Sequence, residues 1–162
     1  MSHVINLETH SVEETKDFGV RLGVWIKTRN KPICIALVGD LGTGKTHMSQ
    51  GIAKGLGIVE DVTSPTFSLM NTYTSLIGNI YHFDLYRLDD VYELENIGFY
   101  EYTEQEISIV EWADKFSDEL PEETLWIYMA TIDEHNRSIQ LKSDIVKEEL
   151  LKEVGGMYVV SH

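Results

Sequence analysis

The chain has 162 residues, 43% of them apolar and 10% aromatic, which suits one globular domain with a proper core. Thirteen Lys and Arg against 27 Asp and Glu leave a formal net charge of −14, a field that repels nucleic acid and anionic membrane, so a phosphate-bearing partner has to be held by a local device. The single cysteine, Cys34, allows no internal disulfide and fits a reducing, cytoplasmic setting. The N-terminus "MSHVINLETHSVEET" has no apolar signal core, and no apolar run approaches the roughly 18 residues of a membrane span.

No repeat, low-complexity segment or Pro/Gly/Ser linker breaks the chain, and Pro32, Pro65 and Pro121 stand singly between periodic stretches. One domain over 1–162 is expected, with 151–162 set apart as a flexible tail. In "THSVEETKDFGVRLGVWIKT", Ser11 and Glu14 form a capping box, and Thr15, Phe18, Leu22 and Trp25 or Ile26 recur at helical spacing. A helix ending near Thr28 follows. The run Ile33 to Val38, bounded by Pro32 and Gly39, is short, apolar and partly β-branched, as in a strand buried on both faces of a parallel sheet. Lys45 to about Leu56 reads as a helix weakened by Gly51 and Gly55 and closed near Gly57. "SPTFSLMNTYTS" and "NIYHFDLYRL" predict a hairpin turning at Gly78 and Asn79. Residues 89–106 hold seven acids and no Lys or Arg around apolar positions, the pattern of one or two surface helices. Strands are expected at "ISIVEW", near "TLWIYMATI" and near "SIQLK". The alternation predicts a three-layer α/β/α sandwich with a mostly parallel sheet and an added hairpin.

Between the first buried strand and the next helix lies "GDLGTGKT", in which Gly39, Gly44, Lys45 and Thr46 satisfy G-x-x-x-x-G-K-[ST]. A loop that turns back with its N–H groups inward needs positive φ without Cβ, hence Gly42 and Gly44, and the following helix adds its N-terminal partial charge. Lys45 is a mobile point charge for β and γ phosphates, and the Thr46 hydroxyl suits Mg²⁺. Strand, loop and helix together predict a P-loop nucleotide site rather than a glycine-rich turn with a chance lysine.

A hydrolase also needs acids near the metal. Glu111 ends "ISIVE" and Asp84 ends "IYHFD", and either suits a role in holding Mg²⁺ or orienting the attacking water; the plainer reading of each is a solvated strand-end carboxylate. "SPTF", Ser64 to Phe67, occupies the place where many P-loop proteins sense the γ phosphate, and is otherwise an ordinary turn. His47 and His82 have no partner at metal-ligand spacing and read as structural or exposed.

Taken together, "GDLGTGKTHMSQGIAKGLG", "SPTFSL", "YHFDLYRL" and "IVEWADK" resemble the TsaE family, also called YjeE, in order and approximate spacing over most of residues 10–142. The resemblance implies a small bacterial Mg-dependent ATPase, weak alone, that is required for the threonylcarbamoyl modification of adenosine beside the tRNA anticodon and acts on a complex of TsaB and TsaD. It implies that Gly42, Thr43, Gly44, Lys45 and Thr46 hold the phosphates, with Asp40 and His47 beside them; that Thr46 and Glu111 meet Mg²⁺, with Asp84 essential nearby; and that Trp112 and "SPTF" share the site. The stretch from Ser11 to Thr15 would help enclose the base, and Arg137 would be a basic position late in the fold. The family usually has a second Thr or Ser where this chain has His47. An acidic body with one phosphate cradle implies a protein partner, with no direct tRNA binding and no membrane.

Two other readings stay open: a P-loop small-metabolite kinase, which would need several clamping arginines where this chain has only Arg21, Arg29, Arg87 and Arg137, and a non-hydrolysing interaction module that binds ATP to hold a shape. A GTPase is disfavoured because no N-K-x-D motif follows a late strand.

Overall fold

The computed structural model describes residues 2–40, 42–63 and 69–160; the "SPTF" expectation lies outside the described residues. Seven strands form one sheet in the order β1-β7-β6-β2-β5-β4-β3. At its centre β2 (Ile33–Val38) runs parallel to β5 (Ile107–Glu111) and β6 (Thr124–Thr131), and β5 runs parallel to β4 (Gly78–Asp84). Antiparallel pairs finish both sides: β7 (Arg137–Ser143) on β6, β1 (His3–Thr9) on β7, and β3 (Met70–Ser75) on β4.

The central strand shows why the sheet needs covering twice. Ile33, Ile35 and Leu37 point into one buried cluster and Cys34 and Ala36 into the other, as the two-residue period of a strand dictates. On the first face lie α1 (Val12–Arg29), α2 (Lys45–Leu56) and α5 (Glu148–Gly155). On the second lie α3 (Glu93–Asn96), α4 (Phe99–Gln105) and the 3₁₀ segment Ala113–Glu119. The expected three layers are therefore present, with a parallel centre and antiparallel edges. Burial pushes the Cys34 thiol up to about 12, so it acts as a small core side chain.

Ser11 caps α1 by accepting the Glu14 N–H at 3.1 Å, while Glu14 Oε1 accepts the His10 N–H at 2.8 Å, one residue earlier than a standard capping box. The helix ends at Asn30, in the left-handed region at φ 49°, whose N–H donates to Ile26 O. β1 was not foreseen: only Ile5 and Leu7 of its apolar residues turn inward, and its partner β7 lies far along the chain. The hairpin turns at Leu76 and Ile77, not at Gly78 and Asn79, because Ser75 pairs with Gly78 and its hydroxyl donates to Gly78 O while accepting the Ile77 N–H. Residues 151–160, expected within a flexible tail, are instead packed. Leu151, Val154 and Tyr158 are buried in the first cluster, the Tyr158 hydroxyl donates to Asp17 at 2.6 Å, and Arg21 donates to the carbonyls of Glu153 and Val154.

Gly51 and Gly55, which lower the helix propensity of α2, are there for close approach. A Cβ on Gly51 would lie 2.3 Å from Lys16 O, and one on Gly55 2.3 Å from Val20 O; Gly19 and Gly23 of α1 face them. The backbones of α1 and α2 thus touch, which holds the helix that follows the loop firmly to the sheet. Gly51→Ala should gain about 1 kcal/mol in helix propensity yet lose more through overpacking, for a net destabilisation of roughly 1–2 kcal/mol. Denaturant unfolding checks the sign, and a more stable Gly51→Ala protein would contradict the backbone contact.

Candidate functional site

The parallel register brings three strand ends together. Leu37 of β2 and Asp84 of β4 both pair with Glu111 of β5, so the loop leaving β2 emerges beside two carboxylates at the carboxyl edge of the sheet, where ligands of open α/β sheets bind. Among the described residues, all the expected site residues except Asp40 line one cavity there, of about 510 Å³.

The loop is shaped from within and strapped from outside. Gly42 and Gly44 have φ of 83° and 97°, which side chains with Cβ rarely adopt. The Thr43 hydroxyl and N–H both donate to Asp40 O, at 2.9 and 3.3 Å. Asp40 therefore contributes its carbonyl to the turn, and its carboxylate charge acts on Lys45. Arg137, at the start of β7, donates from Nε to Thr43 O at 3.2 Å and from Nη2 to Gly42 O at 3.4 Å, while Nη1 donates to Asp133 O at 2.8 Å. It is thus a strap on the loop as well as a cavity cation. α2 starts at Gly44 with no side-chain cap and no acid in its first turn, so its N-terminal partial charge is not countered by its own side chains.

Lys45, 7% exposed, donates from Nζ to Gly39 O at 2.5 Å and lies 3.9 Å above the Trp112 ring centroid. Burial lowers its pKa, opposed by the charges of Glu111, Asp84, Asp114 and Asp40. Trp112 has φ 58°, a left-handed conformation costing on the order of 1–2 kcal/mol for a residue with Cβ. Tyr86 holds the indole at 4.8 Å between ring centroids. Glu111 is 3% exposed and its Oε2 lies 2.6 Å from His82 Nε2. Asp84 is half-buried and accepts the Tyr86 N–H at 3.0 Å; burial raises its pKa, with the Glu111 charge adding to the rise. Thr46 is exposed at the cavity, and His47 lines it with a buried Nδ1 lacking a partner among the described residues. Ser11 and Thr15 also line the cavity, and the Thr15 and Thr9 hydroxyls share a 2.7 Å hydrogen bond.

Sequence reasoning missed Tyr86, Glu134 and His135 in the lining and the partnership of His82 with Glu111. His82 stands two residues before Asp84 on β4, a spacing that puts both on one face; Tyr86 follows in the turn after that strand, and Glu134 and His135 sit just before Arg137.

Inward-turning loop, uncapped helix start, cation and two carboxylates suit a polyanion with a divalent cation. Among the described residues no three His, Cys, Asp or Glu side chains converge as a self-sufficient metal site, and Mg²⁺ needs only one or two carboxylates beside phosphate and water. The raised pKa of Asp84 gives a check independent of any ligand. A carboxyl whose folded pKa is raised destabilises the fold above that pKa and ceases to do so below the ordinary carboxylate value. Asp84→Asn should therefore raise Tm at pH 7, on the order of 2 °C, with the gain vanishing as pH falls toward about 4; a gain that grows on acidification would contradict the assignment.

A family model described as "Threonylcarbamoyl adenosine biosynthesis protein TsaE" matches residues 9–139. The tRNA threonylcarbamoyladenosine biosynthesis protein TsaE of Bacillus subtilis is 36% identical over 146 residues, covering 90% of this chain and 89% of that one. Its counterpart from Treponema pallidum is 33% identical over 132 residues, covering 81% and 95% respectively. The crystal structure of Bacillus subtilis YdiB superposes with a TM-score of 0.73 at 29% identity, over 95% of both chains.

Proposed function

From the premise that the chain belongs to the TsaE family, and so to tRNA threonylcarbamoyladenosine biosynthesis, we propose that it serves that pathway as a Mg-dependent ATPase acting on a TsaB–TsaD complex in the cytoplasm. The observation that carries this reading is the convergence of Lys45, Thr46, Asp84 and Glu111 on one cavity at the carboxyl edge of the sheet.

In this reading the N–H groups of Gly42 to Lys45 and the start of α2 cradle the phosphates. Lys45, held by one hydrogen bond to Gly39 O and by the face of the Trp112 ring, would turn its ammonium to the phosphate oxygens. Bound Mg²⁺ would supply neutralisation of the phosphate charge. Thr46, with Glu111 or Asp84, would hold it, and the other carboxylate would orient a water. Ser11, Val12 and Thr15 enclose the base end, while Arg137 keeps the loop closed around the phosphates.

The arginines favour an ATPase over a metabolite kinase. Arg21 is tied to the C-terminal carbonyls and Arg29 donates to Pro32 O beside Glu123. Of the four, Arg137 alone lines the cavity, and it is already engaged with the loop. The lid of arginines that clamps a migrating phosphoryl group is therefore not assembled among the described residues. A charge of −14 favours a protein partner over direct tRNA binding.

Lys45→Ala should abolish tight Mg-ATP binding by calorimetry, whereas Thr46→Ala should keep part of the affinity and lose at least tenfold in phosphate release; unchanged affinity in Lys45→Ala would remove the nucleotide reading. For the partner, affinity for a TsaB–TsaD complex is measured with ATP, ADP and no nucleotide, beside a tRNA gel shift of the chain alone. Docking that depends on the nucleotide, with negligible tRNA binding, is the expected result. Docking indifferent to nucleotide would shift weight to a static module.

A further inference from the structure

Among the described residues, the buried charge-bearing side chains are Lys45, Glu111 and His82, and the reading above gives a task only to the first two. We propose that His82 is a positioning residue for Glu111, orienting its carboxylate toward the cavity and so setting how strongly the protein takes Mg²⁺ together with a nucleotide. The inference rests on the nucleotide reading of the site.

The geometry comes from strand register. His82 pairs with Ile109 and Asp84 with Glu111 in the parallel β4–β5 ladder, so all four share one face. From one pair back, His82 reaches forward to Glu111, and Nε2 and Oε2 stand 2.6 Å apart with both side chains almost fully enclosed. An ionised carboxylate has only acceptors, so the imidazole donates. The other ring nitrogen, Nδ1, is buried without a hydrogen-bond partner among the described residues. The Glu111 contact is therefore the ring's one hydrogen bond among them, and the ring is braced by packing instead, with Tyr73 tilted over it at 6.3 Å between centroids. A rigid ring that makes one bond, to one oxygen of a cavity-lining carboxylate, restrains how that carboxylate is turned. Outer groups of this kind typically change metal affinity by about 10- to 100-fold when removed.

The test compares the parent with His82→Phe, which keeps a flat ring and removes the donor, and with His82→Gln, which keeps a donor near the Nε2 position. Calorimetry measures ATP affinity with and without Mg²⁺, and the quantity of interest is the gain that Mg²⁺ confers. His82→Phe should cut that gain about tenfold or more while leaving metal-free ATP affinity within about twofold, and His82→Gln should restore most of the loss. In a Glu111→Gln background, adding His82→Phe should change the gain by less than about twofold. A full Mg²⁺ gain in His82→Phe overturns the inference, as does equal loss with and without metal, or an undiminished effect in the Glu111→Gln background. If His82→Phe does not fold, ¹⁵N spectra of the parent decide. An Nε2-protonated ring whose signals move when Mg²⁺ is added to the ATP-loaded protein supports the proposal, and an Nδ1-protonated ring or signals indifferent to Mg²⁺ overturn it. A parent that binds no ATP defeats the nucleotide reading, and this inference with it; a parent that binds ATP while His82→Phe keeps the full gain defeats this inference alone.

Discussion

The pairing of Leu37 with Glu111 and of Glu111 with Asp84 across three parallel strands is the constraint on which the site depends. A shift of one residue in either ladder would turn a carboxylate to the opposite face of the sheet, away from the loop. The register is secured by burial on both faces: Ile35 and Leu37 pack under α1 and α2, while Cys34, Ala36, Phe83 and Val110 pack under α3 and α4. The glycine contact between α1 and α2 then fixes the start of α2, and with it the loop, relative to those strand ends.

That arrangement concentrates negative charge. Glu111 is almost completely enclosed, Asp84 is half-buried beside it, and Asp114 and Asp40 add to the field at Lys45. Burial raises the Asp84 pKa and the neighbouring Glu111 charge adds to the rise; a lone ammonium, its own pKa lowered by burial, offsets only part of this. In the proposed reading, Mg²⁺ with a polyphosphate would add positive charge beside the two carboxylates and an anion for Lys45 to meet. The strained backbone of Trp112, directly after Glu111 and packed on Tyr86, places an aromatic at the point where such a change would be felt.

The features written in local sequence were legible: the P-loop with its glycines and lysine, the buried β2, α2 between Lys45 and Gly57, and the two strand-end acids. Each depends on the chemistry of a few adjacent residues. What escaped depends on partners distant in the chain. β1 is a strand because β7 offers it an edge, and residues 151–160 are ordered because Leu7, Asp17 and Arg21 receive them. His82 looks like a stray histidine until β4 and β5 are aligned and Glu111, 29 residues on, comes within hydrogen-bond distance. The helix glycines read as weakness in isolation and as contact once α1 is laid against α2.

Backbone ¹H–¹⁵N spectra of the parent protein, titrated with ATP in the presence of Mg²⁺, test most directly whether this loop is the phosphate cradle. Amide signals of Gly42, Thr43, Gly44, Lys45 and Thr46 should show the largest displacements of the whole chain, followed by those of Glu111 and Trp112, because charge placed there meets the N–H groups first. Saturable binding that leaves those amides in place and moves a different region, or no displacement at millimolar nucleotide, would contradict a nucleotide site at this edge of the sheet.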